Sequence, residues 1–129
     1  MTLGEAFSIV KPGYSKPHLW VVVSHPDPAG FVLMYSLTSF KDGCDTTCLI
    51  KPGEHIWVVH DTIVLYDDGR LFPAAQSERL LRSRSIRRQR PVSRALLAKI
   101  QHGAFRSPCA RPIHQKMVRA SLAVAESTP

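Results

Sequence analysis

The sequence predicts a mainly β chain with C-terminal helices, an α+β class. A small, strongly bent antiparallel barrel or sandwich over residues 1–72 precedes a basic, Arg-rich helical extension, residues 73–129, that packs on it. Three observations lead there. Up to Phe72 the chain alternates short apolar runs with Gly/Pro turns at close spacing, the pattern of small all-β units. Beyond Pro73 the apolar residues fall at helical spacing instead. The charge also divides. Residues 1–70 carry five Lys/Arg against eight Asp/Glu, and residues 71–129 carry twelve against two. A mildly acidic half followed by a strongly basic one points to an anionic partner: nucleic acid, an acidic protein segment or a membrane surface.

Taken in order, residues 5–10 read as a first strand or as a lead-in covering one end of the barrel, ended by Pro12-Gly13. Residues 19–23 (LWVVV) and 31–37 (FVLMYSL) form the central hairpin. Valine and aromatic side chains are stiff at χ1 and suit a pleated surface. Pro26, Asp27, Pro28 and Gly30 cannot continue either strand, so they make a longer loop. Residues 46–50 (TTCLI) read as a third strand and 62–66 (TIVLY) as a later one, while 56–60 (IWVVH) fits either a strand or one helical turn. Residues 74–84 are polar, Arg-rich and compatible with helix. Ser93 is a natural N-cap for a helix whose stripe is Leu96, Leu97 and Ile100, and Gly103 is expected to stop it. Pro112 opens a last helix, with Ile113, Met117, Val118, Leu122 and Val124 as its packing face.

At 129 residues with 44% apolar content, the chain has the size of one domain and enough apolar side chains for a core. No apolar run approaches the ~20 residues that span a bilayer. Residues 1–13 lack the basic start and long apolar middle of a signal peptide, so the expectation is a soluble cytoplasmic protein. Three cysteines, Cys44, Cys48 and Cys109, do not describe a disulfide framework. With His55 and His60 downstream, Cys44 and Cys48 admit a zinc reading, but their spacing departs from the tighter repeated ligand spacings of zinc sites, and they read as structural or incidental.

Seven arginines (Arg79, Arg82, Arg84, Arg87, Arg88, Arg90 and Arg94) fall within sixteen residues. They are either a solvated linker and helix face or a patch that contacts phosphates. No aromatic residue lies between them, so base stacking is not indicated there.

One set of segments carries a resemblance. A basic residue and proline precede an apolar strand in Lys16-Pro17-His18-Leu19-Trp20-Val21-Val22-Val23-Ser24. A later strand ends in Leu37-Thr38-Ser39, followed by Thr46-Thr47-Cys48-Leu49-Ile50 and Asp61-Thr62-Ile63-Val64-Leu65-Tyr66. In order and spacing, over residues 10–72, this resembles the MazF/PemK-like toxins of bacterial toxin–antitoxin systems. The resemblance implies an SH3-like barrel and a metal-independent endoribonuclease, with no cofactor, that cuts single-stranded RNA. It further implies a homodimer held in check by a small antitoxin. The family's basic catalytic residue falls on Lys16, where the family usually has arginine, and its catalytic Thr or Ser falls on Thr38, with Ser39 beside it. Lysine is a point charge on a flexible stem where arginine offers a planar fork. The Gly-rich, charged loop that the family carries ahead of this motif is shortened here to residues 11–15.

The residue types suit that chemistry. Metal-free RNA cleavage is attack by the neighbouring 2′-hydroxyl on phosphorus. It needs a base, an acid at the leaving 5′-oxygen, and donors for the phosphoryl oxygens. Residues two apart in a strand share a face, so Lys16 and His18 can share one rim. Imidazole serves as acid or base near neutral pH, and Thr38 and Ser39 supply hydroxyl donors. The bland reading of His18 is a partly buried strand histidine. His60 and Asp61 are secondary candidates, and His25, His102 and His114 receive no role. Arg79, Arg82, Arg84, Arg87, Arg88 and Arg90 are the candidate RNA contacts. Two other readings stay open: a non-catalytic SH3-like module that binds nucleic acid or an acidic protein, and a regulator acting through the Arg-rich segment.

Overall fold

Residues 19–23 and 32–35 are apolar without interruption because both faces of the sheet they build are covered. In the computed structural model, which describes residues 1–10, 13, 15–82 and 86–127, the strands are β1 (Ala6–Ile9), β2 (His18–Val22), β3 (Phe31–Ser39), β4 (Leu49–Ile50), β5 (Thr62–Val64), β6 (Arg70–Pro73) and β7 (Ile86–Gln89). The helices are α1 (Ser77–Arg82), α2 (Arg94–Arg106) and α3 (Pro112–Ser127). This is an α+β chain built on one antiparallel sheet.

The strand order is β4-β5-β3-β2-β1-β7, and β6 also pairs with β3. Strand β3 organises the sheet. One edge pairs with β2, placing Leu19 opposite Leu37 and Val22 opposite Met34. Its other edge is shared end to end, β6 along residues 31–34 and β5 along residues 37–39. Among the described residues no ladder joins β7 to β4 or β6, so the sheet is open where a closed barrel was expected.

Side-chain alternation divides the core. Leu19, Val21, Leu33, Tyr35 and Leu37 face α2 and α3, where they meet Leu96, Ile100, Ala104 and Val118. Phe7, Trp20, Val22, Val32, Met34 and Ile86 face the other way, against Phe72, Leu80 and Leu81. The helices are bonded to the sheet at fixed points. Gln101 Nε2 donates to the Val23 carbonyl at 3.0 Å, the Tyr66 hydroxyl to the Ile100 carbonyl at 2.7 Å, and the His25 amide to Ser121 Oγ at 2.8 Å.

Several local expectations change for identifiable reasons. Residues 46–48 are not strand: Asp45 Oδ1 accepts from the Thr47 amide at 2.9 Å, an Asx turn that takes the backbone out of the ladder, so only Leu49–Ile50 pairs. Residues 56–60 form a turn around His55. The Trp57 amide donates to His55 Nδ1 at 3.1 Å, which leaves the proton on Nε2 to donate to the Arg90 carbonyl at 2.7 Å. Ser93 caps α2 by accepting from the Leu96 amide at 3.1 Å, but the helix runs through Gly103 to Arg106. A Cβ at Gly103 would fall on the Tyr66 hydroxyl, so this glycine makes room for a tyrosine rather than ending a helix. The basic extension, expected to be helical, also contains β7, which covers the free edge of β1. Ile86 enters the core and arginines occupy the outer edge, where charge discourages pairing with another chain.

Candidate functional site

At the end of the β2–β3–β5 ladder the sheet opens into a cavity of about 200 Å³ whose lining includes Lys16, His18, Thr38, Ser39, Trp57 and His60. Antiparallel pairing explains the convergence. The start of β2 lies against the end of β3, because Leu19 pairs with Leu37, and Ser39 pairs with Thr62 at the start of β5. Three chain segments far apart in sequence therefore end at one rim.

Backbone carbonyls fix the polar groups. His18 is half-buried, with Nδ1 3.3 Å from the Leu37 carbonyl oxygen. A carbonyl only accepts, so Nδ1 carries the proton and Nε2 of the neutral ring remains an acceptor. Ser39 Oγ lies 2.6 Å from His60 Nε2 in a hydrogen bond. Thr62 Oγ1 donates to the His60 carbonyl at 2.9 Å, which anchors the backbone of that histidine to β5. Thr38 is half-buried and Lys16 exposed. The exposed Lys51–Asp61 ion pair, 2.9 Å, bridges the neighbouring turn and contributes little by itself. Val58 lies at the floor, buried, while Trp57 forms a wall. The Trp57 Nε1–H donates to Gln89 Oε1 at 3.2 Å, and Gln89 Nε2 donates to Ser8 Oγ at 3.0 Å, so this wall is tied to β7 and β1. The cavity thus offers two imidazoles, the β3 hydroxyls of Thr38 and Ser39 and one ammonium, while the Thr62 hydroxyl is already committed to the His60 carbonyl. That set can take up a proton, deliver one and donate to an anionic oxygen.

Lys16, His18, Thr38 and Ser39 are therefore brought together, and the arginines are not. Arg79 and Arg82 are exposed on α1, which seats Leu80 and Leu81 against the Trp20–Met34 core. Arg88 lies over the Phe7 ring at 6.0 Å with Nε 3.5 Å from Glu5 Oε2. Arg87 and Arg90 are exposed on either side of Gln89. Arg84 lies outside the described residues. His60, a secondary candidate in the sequence, sits squarely in the cavity. Trp57 had no signal beyond an apolar run.

Shifted titrations lie at the joint between sheet and helices. Burial pushes Asp45 up, but hydrogen bonds from Ser107 (2.5 Å) and Thr47 outweigh it and hold the carboxyl below its usual range. Glu54 is likewise held low: burial is outweighed by the Lys51 amide and by Lys99, whose Nζ stands 3.1 Å from Oε2. Burial pushes the Tyr35 hydroxyl to about 12 and raises Tyr66, where Cys48 adds to the effect. The buried Cys48 thiol is raised by the same desolvation. Cys44, Cys48 and Cys109 are free thiols, and among the described residues no three His, Cys, Asp or Glu side chains gather as a metal site.

A larger hollow of about 380 Å³ lies between the 25–28 loop and α3. It is mostly apolar, with one imidazole, His25, and one ammonium, Lys116, in its lining, and the Asp27 and Ser121 oxygens are already engaged. Asp27 Oδ1 accepts from the Ala29 and Phe31 amides, and Ser121 Oγ accepts from His25 and donates to Met117. Acid–base groups therefore favour the smaller cavity. Among the described residues no helix is long and apolar enough to cross a membrane. No protein-family model matches the chain, and no curated protein matches it.

Proposed function

We propose that the chain is a metal-independent endoribonuclease of the MazF/PemK-like kind, its open sheet a variant of the SH3-like barrel, that cuts single-stranded RNA in the Lys16–His60 cavity. The observation that carries this reading is the convergence of two imidazoles, a lysine and two strand hydroxyls on one opening. In this reading the 2′-hydroxyl attacks the adjacent phosphorus and loses its proton to an imidazole. His18 is suited to that task, since its Nδ1 donates to Leu37 and Nε2 holds the free electron pair. The P–O5′ bond breaks as His60, hydrogen-bonded to Ser39, supplies the proton to the leaving oxygen. Lys16 and Thr38 donate to the phosphoryl oxygens. The products are a 2′,3′-cyclic phosphate and a 5′-hydroxyl. A cytoplasmic homodimer restrained by a small antitoxin completes the proposal.

The test is cleavage of mixed-sequence RNA by purified protein in EDTA, beside Lys16→Ala, Thr38→Ala and His60→Ala. Loss of a general acid or base removes roughly 10²–10⁴ in rate. Uncut RNA with well-folded protein would overturn the proposal.

The second reading, a non-catalytic module that holds an anionic partner, is favoured by one observation. Arg79, Arg82, Arg87 and Arg90 have no carboxylate partner among the described residues, which leaves their charge available.

A further inference from the structure

The exposed arginines do not form one surface, and their division has a direction. Ser8 pairs with Leu19 on one side and with Arg87 on the other, so the three side chains share one face of the sheet. Leu19 lines the cavity. Adjacent strands lie about 4.8 Å apart, which puts Arg87 about 10 Å from Leu19, within reach of a long side chain and a nucleotide or two. Arg88 points to the opposite face, over Phe7, and is paired with Glu5. Arg79 and Arg82 belong to α1, which packs against the core on that opposite face. Arg87 lies two positions before Gln89, on its face of β7, and the exposed Arg90 directly follows Gln89, the residue bonded to the cavity wall Trp57. The same turn also anchors the next residue, where His55 donates to the Arg90 carbonyl.

We infer that a single-stranded polynucleotide leaves the cavity past Trp57 and crosses the β7 edge, its backbone phosphates held by Arg87 and Arg90. This rests on the reading of the cavity as the place where the strand is cut. Arginine's planar fork matches phosphate oxygens. A tryptophan wall beside a basic strand is the combination that holds single-stranded nucleic acid, by stacking on one side and charge on the other. An acidic protein segment would use the charge and leave the indole idle.

The experiment measures binding of a fluorescent, mixed-sequence single-stranded DNA, which lacks the attacking hydroxyl and survives whatever the cavity does. Anisotropy titrations across a salt series compare the intact protein, Arg87→Gln/Arg90→Gln and Arg79→Gln/Arg82→Gln, with folding checked by thermal melting. The expected result is a roughly fivefold or greater loss for the first pair, with the log–log salt slope flattened by about 0.7 for each lost phosphate contact. The α1 pair stays within about twofold, because a non-contacting charge acts only through screened distance. Equal loss in both pairs, no loss in the β7 pair, no binding by the intact protein, or equally effective displacement by polyglutamate would each overturn the inference. Binding retained without RNA cleavage would sink the ribonuclease proposal alone. Cleavage that persists undiminished in the β7 pair would sink the strand path alone.

Discussion

Replacing Gly103 with alanine separates two opposed expectations. In an exposed helix interior Gly→Ala stabilises by about 1 kcal/mol, because glycine loses more backbone freedom on folding. Gly103 is buried in α2, and an added Cβ would meet the Tyr66 hydroxyl, its Cζ at 2.9 Å and Cys48 Cβ at 3.3 Å. Tyr66 has little room to retreat. It is 1% exposed, packs edge-on to Tyr35 at 5.0 Å between centroids, and donates to the Ile100 carbonyl at 2.7 Å. Overpacking costs about 1–3 kcal/mol, and a buried hydroxyl left without its acceptor costs about 1–3 kcal/mol more. Against the helix-propensity gain, the net is a destabilisation of about 1–5 kcal/mol. Urea unfolding of Gly103→Ala, Tyr66→Phe and the double variant measures it. Gly103→Ala should lower the midpoint. The double variant should lose less than the sum of the single changes, by about 1 kcal/mol, since removing the hydroxyl removes part of the clash. A Gly103→Ala protein more stable than wild type would refute the packing argument outright.

Other outcomes follow from the same joint and from the cavity. His114 is 4% exposed and packs edge-on to Tyr35 at 6.3 Å and against Gly69, and burial, reinforced by Arg111, lowers its pKa below the ordinary 6.5. The fold therefore favours the neutral ring. Its contribution is full above the unfolded value and is lost as pH falls through the lowered folded value. Urea midpoints should drop as pH falls from 7 toward about 5, and His114→Gln should flatten that drop. Asp45→Asn leaves Ser107 and Thr47 with a weaker acceptor and should cost about 1–2 kcal/mol at neutral pH, read by thermal melting. Because the Asp45 carboxyl is held low, its contribution is present above the ordinary 3.8 and fades as pH falls through the lowered value, so wild type and variant should converge in acid. Ser39→Ala removes the hydrogen bond to His60 on an exposed rim, and should leave the melting temperature nearly unchanged while reducing any RNA cleavage.

The hairpin of β2 and β3 was legible because LWVVV and FVLMY are too apolar, and too β-branched or aromatic, to lie on a surface, and Pro26, Pro28 and Gly30 leave one place for the turn. The α2 cap was legible in Ser93, since a hydroxyl ahead of an apolar stripe has a local function. Strand β7 was hidden because IRRQ has no strand periodicity; what makes it a strand is the vacant edge of β1, a tertiary fact. The run through Gly103 was hidden for a similar reason, since the Tyr66 side chain it accommodates comes from 37 positions earlier. At the candidate site, Lys16, Thr38 and Ser39 were legible through the MazF/PemK-like resemblance, and His18 through its period-two spacing from Lys16. The Ser39–His60 pair was not, because its hydrogen bond joins residues 21 apart through a turn that His55 shapes. The arginines were legible as charge but not as two surfaces, because their division depends on which face each strand residue takes.

The central claim is that the Lys16–His60 cavity uses an RNA strand's own 2′-hydroxyl to break it. The direct measurement is cleavage, in EDTA, of a single-stranded RNA and of the same strand with 2′-deoxyribose at each position cut. The account predicts fragments ending in 2′,3′-cyclic phosphate from the first and none from the second at those positions, with activity lost in His60→Ala. Cleavage of the deoxy-substituted strand, or full activity in His60→Ala, would contradict it.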